Sequence, residues 1–336
     1  MARGYYINYI IEYSKIFEKL NQHNYNKINF FIDLQSIATG FYNKDTVLVE
    51  VGRYAENNKI SDLLFNEFYN YLENLYNRFQ KYDPYFVTFY DDGYCQQNRT
   101  LLKEYKSENS IKHTILLDDE YLQLFKNIKK YYFNKIFKIF NRHVSSVFYL
   151  KEYESDFIPH YCLKNNLFDS NEPNVLNIIL SKDKDLLQTC QFKNTYQIVT
   201  TFRQKKQERF CQIYDDNNAI TYMYKNFKPG ILTSKDIPLL LALSGDEADG
   251  VPGITGIGPA KAVNLLQGLY NVGIPNNVNE LMNLYNQNKL PKIISDNIKK
   301  IKISYQLTSF EEQISRIPTT FFNDLFKRQM NEDVRA

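Results

Sequence analysis

The chain has 336 residues, 43% of them hydrophobic, which is enough to bury the core of one large domain or of a large domain with a small appendage. The 41 basic and 38 acidic residues give a net charge of only +3, so the total neither requires nor excludes a nucleic-acid partner. Four widely spaced cysteines without CxxC pairs argue against a disulfide framework and a zinc site. The N-terminal segment contains no signal-peptide or membrane-spanning run, so we expect a soluble, cytoplasmic protein without a membrane partner. We also expect it to be a monomer.

Short apolar runs that end in acidic residues alternate with helical stretches along the chain. A helix is predicted at about residues 5–22 and others at about 58–81 and 118–142, and the predicted strands are Lys27–Asp33, Tyr85–Asp91, Ser145–Leu150 and Asn174–Leu180. This alternation indicates an α/β fold with a mostly parallel sheet. After Lys225 the sequence becomes helical and rich in glycine. We therefore divide the chain into an N-terminal helical extension (1–27), an α/β domain (28–225) and a C-terminal helical region (226–336).

Eight carboxylates are candidate ligands for two Mg²⁺ or Mn²⁺ ions, because these hard cations prefer oxygen ligands. Several follow the carboxyl ends of predicted strands, where open α/β sheets build their sites. Without cations, eight converging carboxylates would repel one another and raise one another's pKa. Two such ions about 4 Å apart can catalyse phosphodiester hydrolysis. The candidates are Asp33, Asp91, Glu154, Asp156, Asp183, Asp185, Asp246 and Asp249, and Asp92 competes with Asp91 for the second position.

Each of these acids also has an ordinary structural interpretation. A single acid after a strand often caps a turn or a helix. Glu154 and Asp156 stand at a predicted helix start, where acids stabilise the helix dipole without any metal. Asp246 and Asp249 would serve equally well as helix caps.

A glycine-rich turn precedes a regular apolar helix at Gly253–Lys261, whose sequence is GITGIGPAK. Glycines allow the backbone to approach a phosphate or a monovalent cation, and Pro259 suits the first position of the next helix. Helix N–H groups and Lys261 would then bind the DNA backbone in the manner of a helix–hairpin–helix element, without reading base sequence. The predicted DNA-binding residues are Gly253, Gly256, Gly258 and Lys261; an ordinary interhelical turn is the alternative.

Three further segments lie outside these two motifs. Residues 99–117 are basic and polar with weak periodicity, and we predict an excursion from the sheet. The lysines of the predicted helix 118–142 either face solvent or contact a DNA backbone. The segment FFNDLF at 321–326 is either a docking peptide for a replication clamp or polymerase, or an ordinary packed helix end.

The blocks FFIDLQS, FYDDG, YESD, LSKDKDLLQ and SGDEADGVPGITGIGPAKA resemble the flap endonuclease/5′–3′ exonuclease family. The resemblance spans about residues 28–270, and phage enzymes of the ribonuclease H type and bacterial 5′–3′ exonucleases are the most similar in appearance. Two departures stand out: Phe157 replaces an acid that many relatives carry, and no arginine closes the YKSENS block.

The resemblance implies a PIN-like α/β domain with a helix–three-turn–helix element, and host cytoplasm as the location if the gene is a phage gene. It assigns Asp33, Asp91, Glu154 and Asp156 to one metal, and Asp183, Asp185, Asp246 and Asp249 to the other or to its water shell. It makes residues 99–117 an arch or gateway for a 5′ single strand. It also implies a hairpin that holds duplex DNA and often a potassium ion. The residues implied to touch the scissile phosphate are Arg99, Lys103 and Lys106.

The carboxylates and the hairpin predict Mg²⁺-dependent hydrolysis of DNA, and the resemblance implies a 5′ nuclease that removes RNA primers or 5′ flaps during DNA replication or repair. Its expected partners are DNA with a 5′ end, a 5′ flap or an RNA primer, and a replication clamp, polymerase or single-strand-binding protein. A PIN-type ribonuclease is one alternative, against which the hairpin weighs. A catalytically inactive DNA-binding relative is the other, against which the complete carboxylate set weighs.

Overall fold

A six-stranded sheet forms the centre of the computed structural model, which describes residues 9–34, 36, 69–91, 95–106, 145–203, 208–225, 232–274 and 278–332. The strands lie in the order β3-β2-β1-β4-β5-β6, and all neighbours are parallel except the antiparallel pair β5–β6. The predicted mostly parallel α/β sheet is therefore confirmed. The strands are β1 Lys27–Asp33, β2 Pro84–Asp91, β3 Ser145–Leu150, β4 Val175–Leu180, β5 Thr195–Arg203 and β6 Glu208–Tyr214.

Helices cover the sheet and form the C-terminal part of the chain. They are α1 Tyr9–Gln22, α2 69–79, α3 Gln96–Leu101, α4 Phe157–Lys164, α5 Ile220–Met223, α6 Ile237–Ser244, α7 Pro259–Asn271, α8 Val278–Asn286, α9 Lys292–Ser295, α10 Ile298–Thr308, α11 Phe310–Ser315 and α12 Thr319–Glu332. The described part of the predicted helix 58–81 is helical, whereas the predicted helix 118–142 and residues 107–117 lie outside the described residues. No described helix is both long and apolar enough to cross a membrane.

The two strands that the sequence did not predict lie at one side of the sheet. β5 and β6 mix polar and apolar residues, as in TYQIVTTFR and ERFCQIY. Strands buried on both faces, such as β1 and β4, are almost continuously apolar and are easily recognised. The weaker hydrophobic signal of β5 and β6 is the reason that they were missed.

The strand register brings two acids to the same face of the sheet. β1 lies between β2 and β4, with Phe31 opposite Val87. Because side chains alternate between the faces of a strand, Asp33 shares a face with Phe31, and Asp91 shares a face with Val87. That face packs against α4 and α12. Asp92 lies outside the described residues.

The opposite face of the sheet is covered by the N-terminal helix α1 and by α2. Ile16 and Leu20 of α1 are buried in the same core as Ile28 of β1. Phe79, at the end of α2, stacks on Phe17 with ring centroids 4.8 Å apart. The segment before the first strand therefore supplies one layer of the sheet's core.

Helix α12 packs its aromatic residues against α4 and β3. Phe322 is 2% exposed and stacks on Tyr161 with ring centroids 4.0 Å apart. Phe326 contacts Phe148 at 4.8 Å, and Phe321 contacts Tyr153 at 4.9 Å. The segment FFNDLF is therefore a packed helix, and its most buried aromatic ring is not available to a docking partner.

We predict that Phe322→Ala lowers the free energy of unfolding by about 3 to 5 kcal/mol, because the truncation leaves a cavity in a well-packed aromatic cluster. Urea unfolding monitored by circular dichroism measures the change. The exposed neighbour Asn323 supplies the control, since Asn323→Ala should change stability by less than about 0.5 kcal/mol. Equal effects of the two substitutions would contradict the packing described above.

Candidate metal centre

The carboxyl ends of β1, β2 and β4 meet at one edge of the sheet, and acids from all three strands gather there. Asp33 ends β1 and Asp91 ends β2, whereas Asp183 and Asp185 follow β4 in the next loop. This is the edge at which open α/β sheets build their sites. The parallel sheet therefore brings together acids that are up to 152 residues apart in sequence (185 − 33).

Ser181 links the first strand to the loop that follows β4. Its hydroxyl donates to Asp33 Oδ2 at 2.6 Å and accepts from the backbone N–H of Asp183 at 3.0 Å. Asp183 Oδ1 in turn accepts from the backbone N–H of Asp185 at 2.8 Å. Gln197 of β5 donates to the carbonyl oxygen of Asp183 at 2.6 Å and fixes the loop from the other side. These bonds hold the loop in a single conformation.

The segment before α4 contains two further acids, Glu154 and Asp156, which lie next to the end of β2. The backbone N–H of Ser155 donates to Asp91 Oδ2 at 3.0 Å and its hydroxyl donates to the same oxygen at 3.1 Å. Since Ser155 lies between Glu154 and Asp156, these bonds place both acids beside the end of β2. The helix begins at Phe157, next to Asp156 as predicted, but no side-chain capping bond from Asp156 is formed. Asp156 is therefore available for a role other than capping.

Phe157 itself stands at the position where the resemblance led us to expect an acid. Its side chain is 0% exposed and contacts Phe322 at a centroid distance of 5.9 Å. At this position the chain thus has a hydrophobic core residue, and the candidate centre is built from the other acids.

Asp185, Asp246 and Asp249 form the tightest acidic group among the described residues. One carboxylate oxygen from each lies within 4.8 Å of the others. Asp185 is 8% exposed and Asp246 is 5% exposed. Within the described part of the chain, the buried Asp185 Oδ1 has no hydrogen-bond partner. A buried carboxylate oxygen without a donor is costly unless a cation binds it, so this group fits a hard divalent metal ion.

Burial and mutual repulsion raise the pKa values of four acids at the centre. Burial raises the pKa of Asp33 to about 6 and that of Asp249 to about 7. Burial also raises the pKa values of Asp156 and Asp185 well above the usual range, and the charge of Asp183 is the next largest cause for both. The charge of Asp183 contributes to all four shifts, and the four acids include ones predicted for each of the two metals.

Lys106 extends between the two groups of acids. Its ammonium nitrogen lies 2.6 Å from Glu154 Oε1 and 3.9 Å from Asp249 Oδ1. Burial alone would lower the pKa of Lys106, but the charges of Asp249 and Glu154 outweigh it and raise the pKa well above the usual value. The neighbouring Tyr105 hydroxyl donates to the same Glu154 oxygen at 2.7 Å. Tyr105 and Lys106 therefore lie among the acids, where the resemblance led us to expect Lys106 beside the scissile phosphate.

The other two predicted basic residues take different positions. The Arg99 guanidinium donates to the carbonyl oxygen of Lys106 at 2.7 Å and supports that residue in a left-handed backbone conformation. Lys103 is exposed. Of the three residues predicted to touch a scissile phosphate, Lys106 thus lies against the acids, Arg99 holds Lys106, and Lys103 faces solvent.

Three residues at the centre had no signal in the sequence. Asn98 is fully buried and donates to Glu154 Oε2 at 3.2 Å, while Arg316 donates to Asn98 Oδ1 at 2.8 Å. Lys184, between two of the predicted ligands, has its ammonium nitrogen 2.6 Å from Asp246 Oδ2. Arg316 is 218 residues away from Asn98 along the chain, so no local pattern reveals that bond.

The glycine-rich turn divides into a packed part and an open part. A Cβ atom on Gly253 would lie 2.3 Å from the backbone nitrogen of Gly245, so a glycine is needed there for this close backbone approach. Gly256 has a φ of +80°, which favours glycine, and nothing lies within 4 Å of the added Cβ at Gly256 or Gly258. Pro259 begins α7 as predicted, and Lys261 donates to the carbonyl oxygen of Gly256 at 2.9 Å.

Some known proteins are similar to this chain in sequence or in fold. No protein-family model matches the sequence. DNA polymerase I of Borreliella burgdorferi is 33% identical over 173 residues, which are 51% of this chain and 16% of that protein. The chain thus spans about a sixth of the length of that curated relative.

Solved structures of bacteriophage T5 proteins match nearly the whole chain. The T5 5′-exonuclease with bound divalent zinc ions is 14% identical, with a TM-score of 0.60 over 91% of this chain and 99% of that one. The chain has the fold of the T5 5′-exonuclease. The T5 D15 flap endonuclease, solved with DNA and metal ions, is 15% identical, with a TM-score of 0.59 over 91% of this chain and 98% of that one. The predicted resemblance and the PIN-like fold are therefore confirmed.

We predict that the metal-free protein loses stability as the pH rises from about 4 to about 8. Below a pH of about 4, Asp33 and Asp249 are protonated in the folded and the unfolded chain alike. Because their folded pKa values are about 6 and about 7, the folded protein keeps protons that the unfolded chain has released, and this stabilisation is lost as the pH passes through those values. Thermal unfolding in EDTA across this pH range measures the effect.

The Asp249→Asn variant provides the comparison, because it removes one of the groups with a raised pKa. Its unfolding temperature should depend less on pH over the same range than that of the unmodified protein. A stability that rises steadily from pH 4 to pH 8 in EDTA would contradict the shifts given above.

Proposed function

We propose that the chain is a metal-dependent nuclease that hydrolyses phosphodiester bonds of DNA near a 5′ end or a 5′ flap. The observation that carries this proposal is the convergence of carboxylates on one sheet edge, where a buried Asp185 oxygen has no partner among the described residues. The names of similar proteins support it, since the T5 relatives are a 5′-exonuclease and a flap endonuclease solved with metal ions.

The candidate centre has ligands for two hard cations. Asp33, Asp91, Glu154 and Asp156 are proposed for one ion, and Asp183, Asp185, Asp246 and Asp249 for the other or for its water shell. When bound, Mg²⁺ or Mn²⁺ would lower the pKa of the attacking water and neutralise charge on the scissile phosphate and the leaving oxygen. The charge of Asp183 raises the pKa values of acids proposed for both ions, so Asp183 is the acid that we propose to test first.

The basic residues are proposed to act at different distances from the phosphate. The Lys106 ammonium lies among the acids and can donate to a phosphate oxygen there. Arg99 holds the backbone of Lys106 and is proposed to position it, in place of the direct phosphate contact predicted from the sequence. Lys103, which is exposed, remains a candidate for contacting the strand as it enters.

The open part of the glycine-rich turn is proposed to hold duplex DNA. Gly256 and Gly258 leave the backbone accessible next to the N-terminus of α7, where N–H groups favour a phosphate. Carbonyl oxygens of such a turn also suit a potassium ion, which we propose as an accessory ligand. Such a contact positions the duplex without reading its sequence.

The biological role proposed for this activity is removal of RNA primers or 5′ flaps in DNA replication or repair. A replication clamp, a polymerase or a single-strand-binding protein is the expected kind of partner. The similarity to part of a DNA polymerase I supports a role beside DNA synthesis. A PIN-type ribonuclease is the competing proposal, and the hairpin before α7 favours the DNA-directed one.

We predict that Asp183→Asn reduces kcat on 5′-flap DNA by on the order of 1,000-fold while leaving duplex binding within about twofold. Asparagine keeps the Oδ1 acceptor for the backbone N–H of Asp185 and removes only the charge. Cleavage of 5′-flap DNA, an RNA–DNA hybrid and single-stranded RNA, each with Mg²⁺ or EDTA, gives the rates. Fluorescence anisotropy in EDTA gives duplex binding.

The control is Asp169→Asn, because Asp169 pairs with Lys27 at the other end of β1. It should retain the full rate. Retained turnover in Asp183→Asn would remove the role proposed for that acid. Cleavage of free RNA but not of flap DNA would favour the ribonuclease, and no Mg²⁺-dependent cleavage of any substrate would leave a DNA-binding protein.

We also predict that Lys261→Ala weakens duplex binding and reduces the salt dependence of log K by about one unit, the value for one lost phosphate contact. Lys292, an exposed lysine of α9, gives a matched control in Lys292→Ala. Titrations at several salt concentrations measure both slopes. An unchanged slope in Lys261→Ala would show that this lysine supports only the turn through Gly256.

A further inference from the structure

Lys184 neutralises one of the proposed metal ligands from within the ligand loop itself. Its ammonium nitrogen lies 2.6 Å from Asp246 Oδ2, and Asp246 is only 5% exposed. The other oxygen of Asp246 accepts from the backbone N–H of Ala248 at 3.2 Å. Both oxygens of Asp246 are therefore occupied, whereas Oδ1 of the adjacent Asp185 has no partner among the described residues.

The position of Lys184 does not depend on this ion pair. Its carbonyl oxygen accepts from the backbone N–H of Leu187 at 3.2 Å, which begins the 3₁₀ turn Asp185–Gln191. Gln197 and Ser181 fix the residues before it. The backbone is thus held by other bonds, and the side chain is only partly buried, with 31% of its surface exposed. The ammonium can leave Asp246 without unfolding the loop.

A divalent cation that binds Asp246 through Oδ2 would take the position that the Lys184 ammonium holds there. An ammonium group and a metal ion on the same carboxylate repel each other, since both are positively charged. Lys106 makes the corresponding pairs with Glu154 and Asp249 on the other side of the centre. Lysines from two different segments therefore supply positive charge to the acids.

We propose that Lys184 is an internal competitor of the metal ion at Asp185, Asp246 and Asp249. Its ammonium stabilises Asp246 while the site is empty and must be displaced before that acid can bind a metal. Lys184 thereby sets the metal concentration at which this site fills. It is a positioning residue that acts through Asp246, and the inference rests on the proposed metal-dependent function.

Replacing Lys184 with a neutral residue should change the stability of the metal-free protein and its affinity for metal in opposite directions. Removing the ammonium leaves Asp246 without its counter-ion, so the metal-free protein becomes less stable. The same removal frees an oxygen and eliminates a repulsion, so metal binding becomes tighter. A lysine that only supported the loop would weaken both properties when replaced. Stability without metal and affinity for metal therefore distinguish the two roles.

The test uses the full chain without DNA and Mn²⁺ as the probe. Lys184→Met keeps an unbranched side chain and removes the charge. Lys184→Gln is a second neutral variant, in case methionine packs poorly. Lys184→Arg keeps the positive charge. Lys182→Met removes an exposed lysine two residues earlier and controls for a general loss of positive charge. Titration calorimetry gives the Mn²⁺ affinities, and thermal unfolding in EDTA gives the stabilities.

We expect the neutral variants at Lys184 to bind the Mn²⁺ ion at Asp185, Asp246 and Asp249 about 3- to 10-fold more tightly and to unfold at a lower temperature in EDTA. Lys184→Arg and Lys182→Met should bind within about twofold of the unmodified protein. Unchanged or weaker Mn²⁺ binding in both neutral variants, with binding intact in the unmodified protein, would overturn this inference alone. No Mn²⁺ binding by the unmodified protein would overturn the proposed function as well.

Discussion

Negative charge gathered at the carboxyl edge of the sheet is the constraint on which the rest of this structure depends. Four of the acids there have pKa values raised first by burial and then by the charges of neighbouring acids, so the folded chain holds them at a cost when no cation is present. Proteins keep such an arrangement where a function requires it. Divalent cations are the counter-ions that best fit this negative charge, because all of the candidate ligands are oxygen atoms.

The protein restrains this charge with contacts from two distant parts of the chain. The segment at Tyr105 and Lys106 joins Glu154 to Asp249 and is itself fixed by Arg99. The C-terminal helices take part through Arg316, whose guanidinium is bonded to the Asn98 amide that also contacts Glu154. The orientation of one proposed ligand thus depends on two residues that are 218 positions apart in the sequence.

The sequence predicted the sheet's central strands and all eight acids because both have strong local signals. Apolar runs such as KINFFID can be read as buried strands, and acids after them can be assigned to one edge once the strands are parallel. The polar-apolar mixture of β5 and β6 had no comparable signal. Asn98, Lys184 and Arg316 could not be predicted, because their partners are brought close only by tertiary packing. Gly253 was assigned to DNA from a motif, and the close approach of its backbone to Gly245 could not be predicted from that motif.

The central claim is that this acidic centre binds divalent metal ions. Crystals of the protein soaked in Mn²⁺ and measured by anomalous diffraction test it directly, since each bound ion gives its own peak. The account predicts one peak within coordination distance of Asp185, Asp246 and Asp249 and a second beside Asp33, Asp91, Glu154 or Asp156, about 4 Å away. Ordered carboxylates without any anomalous peak between them, at Mn²⁺ concentrations that saturate other two-metal nucleases, would contradict it.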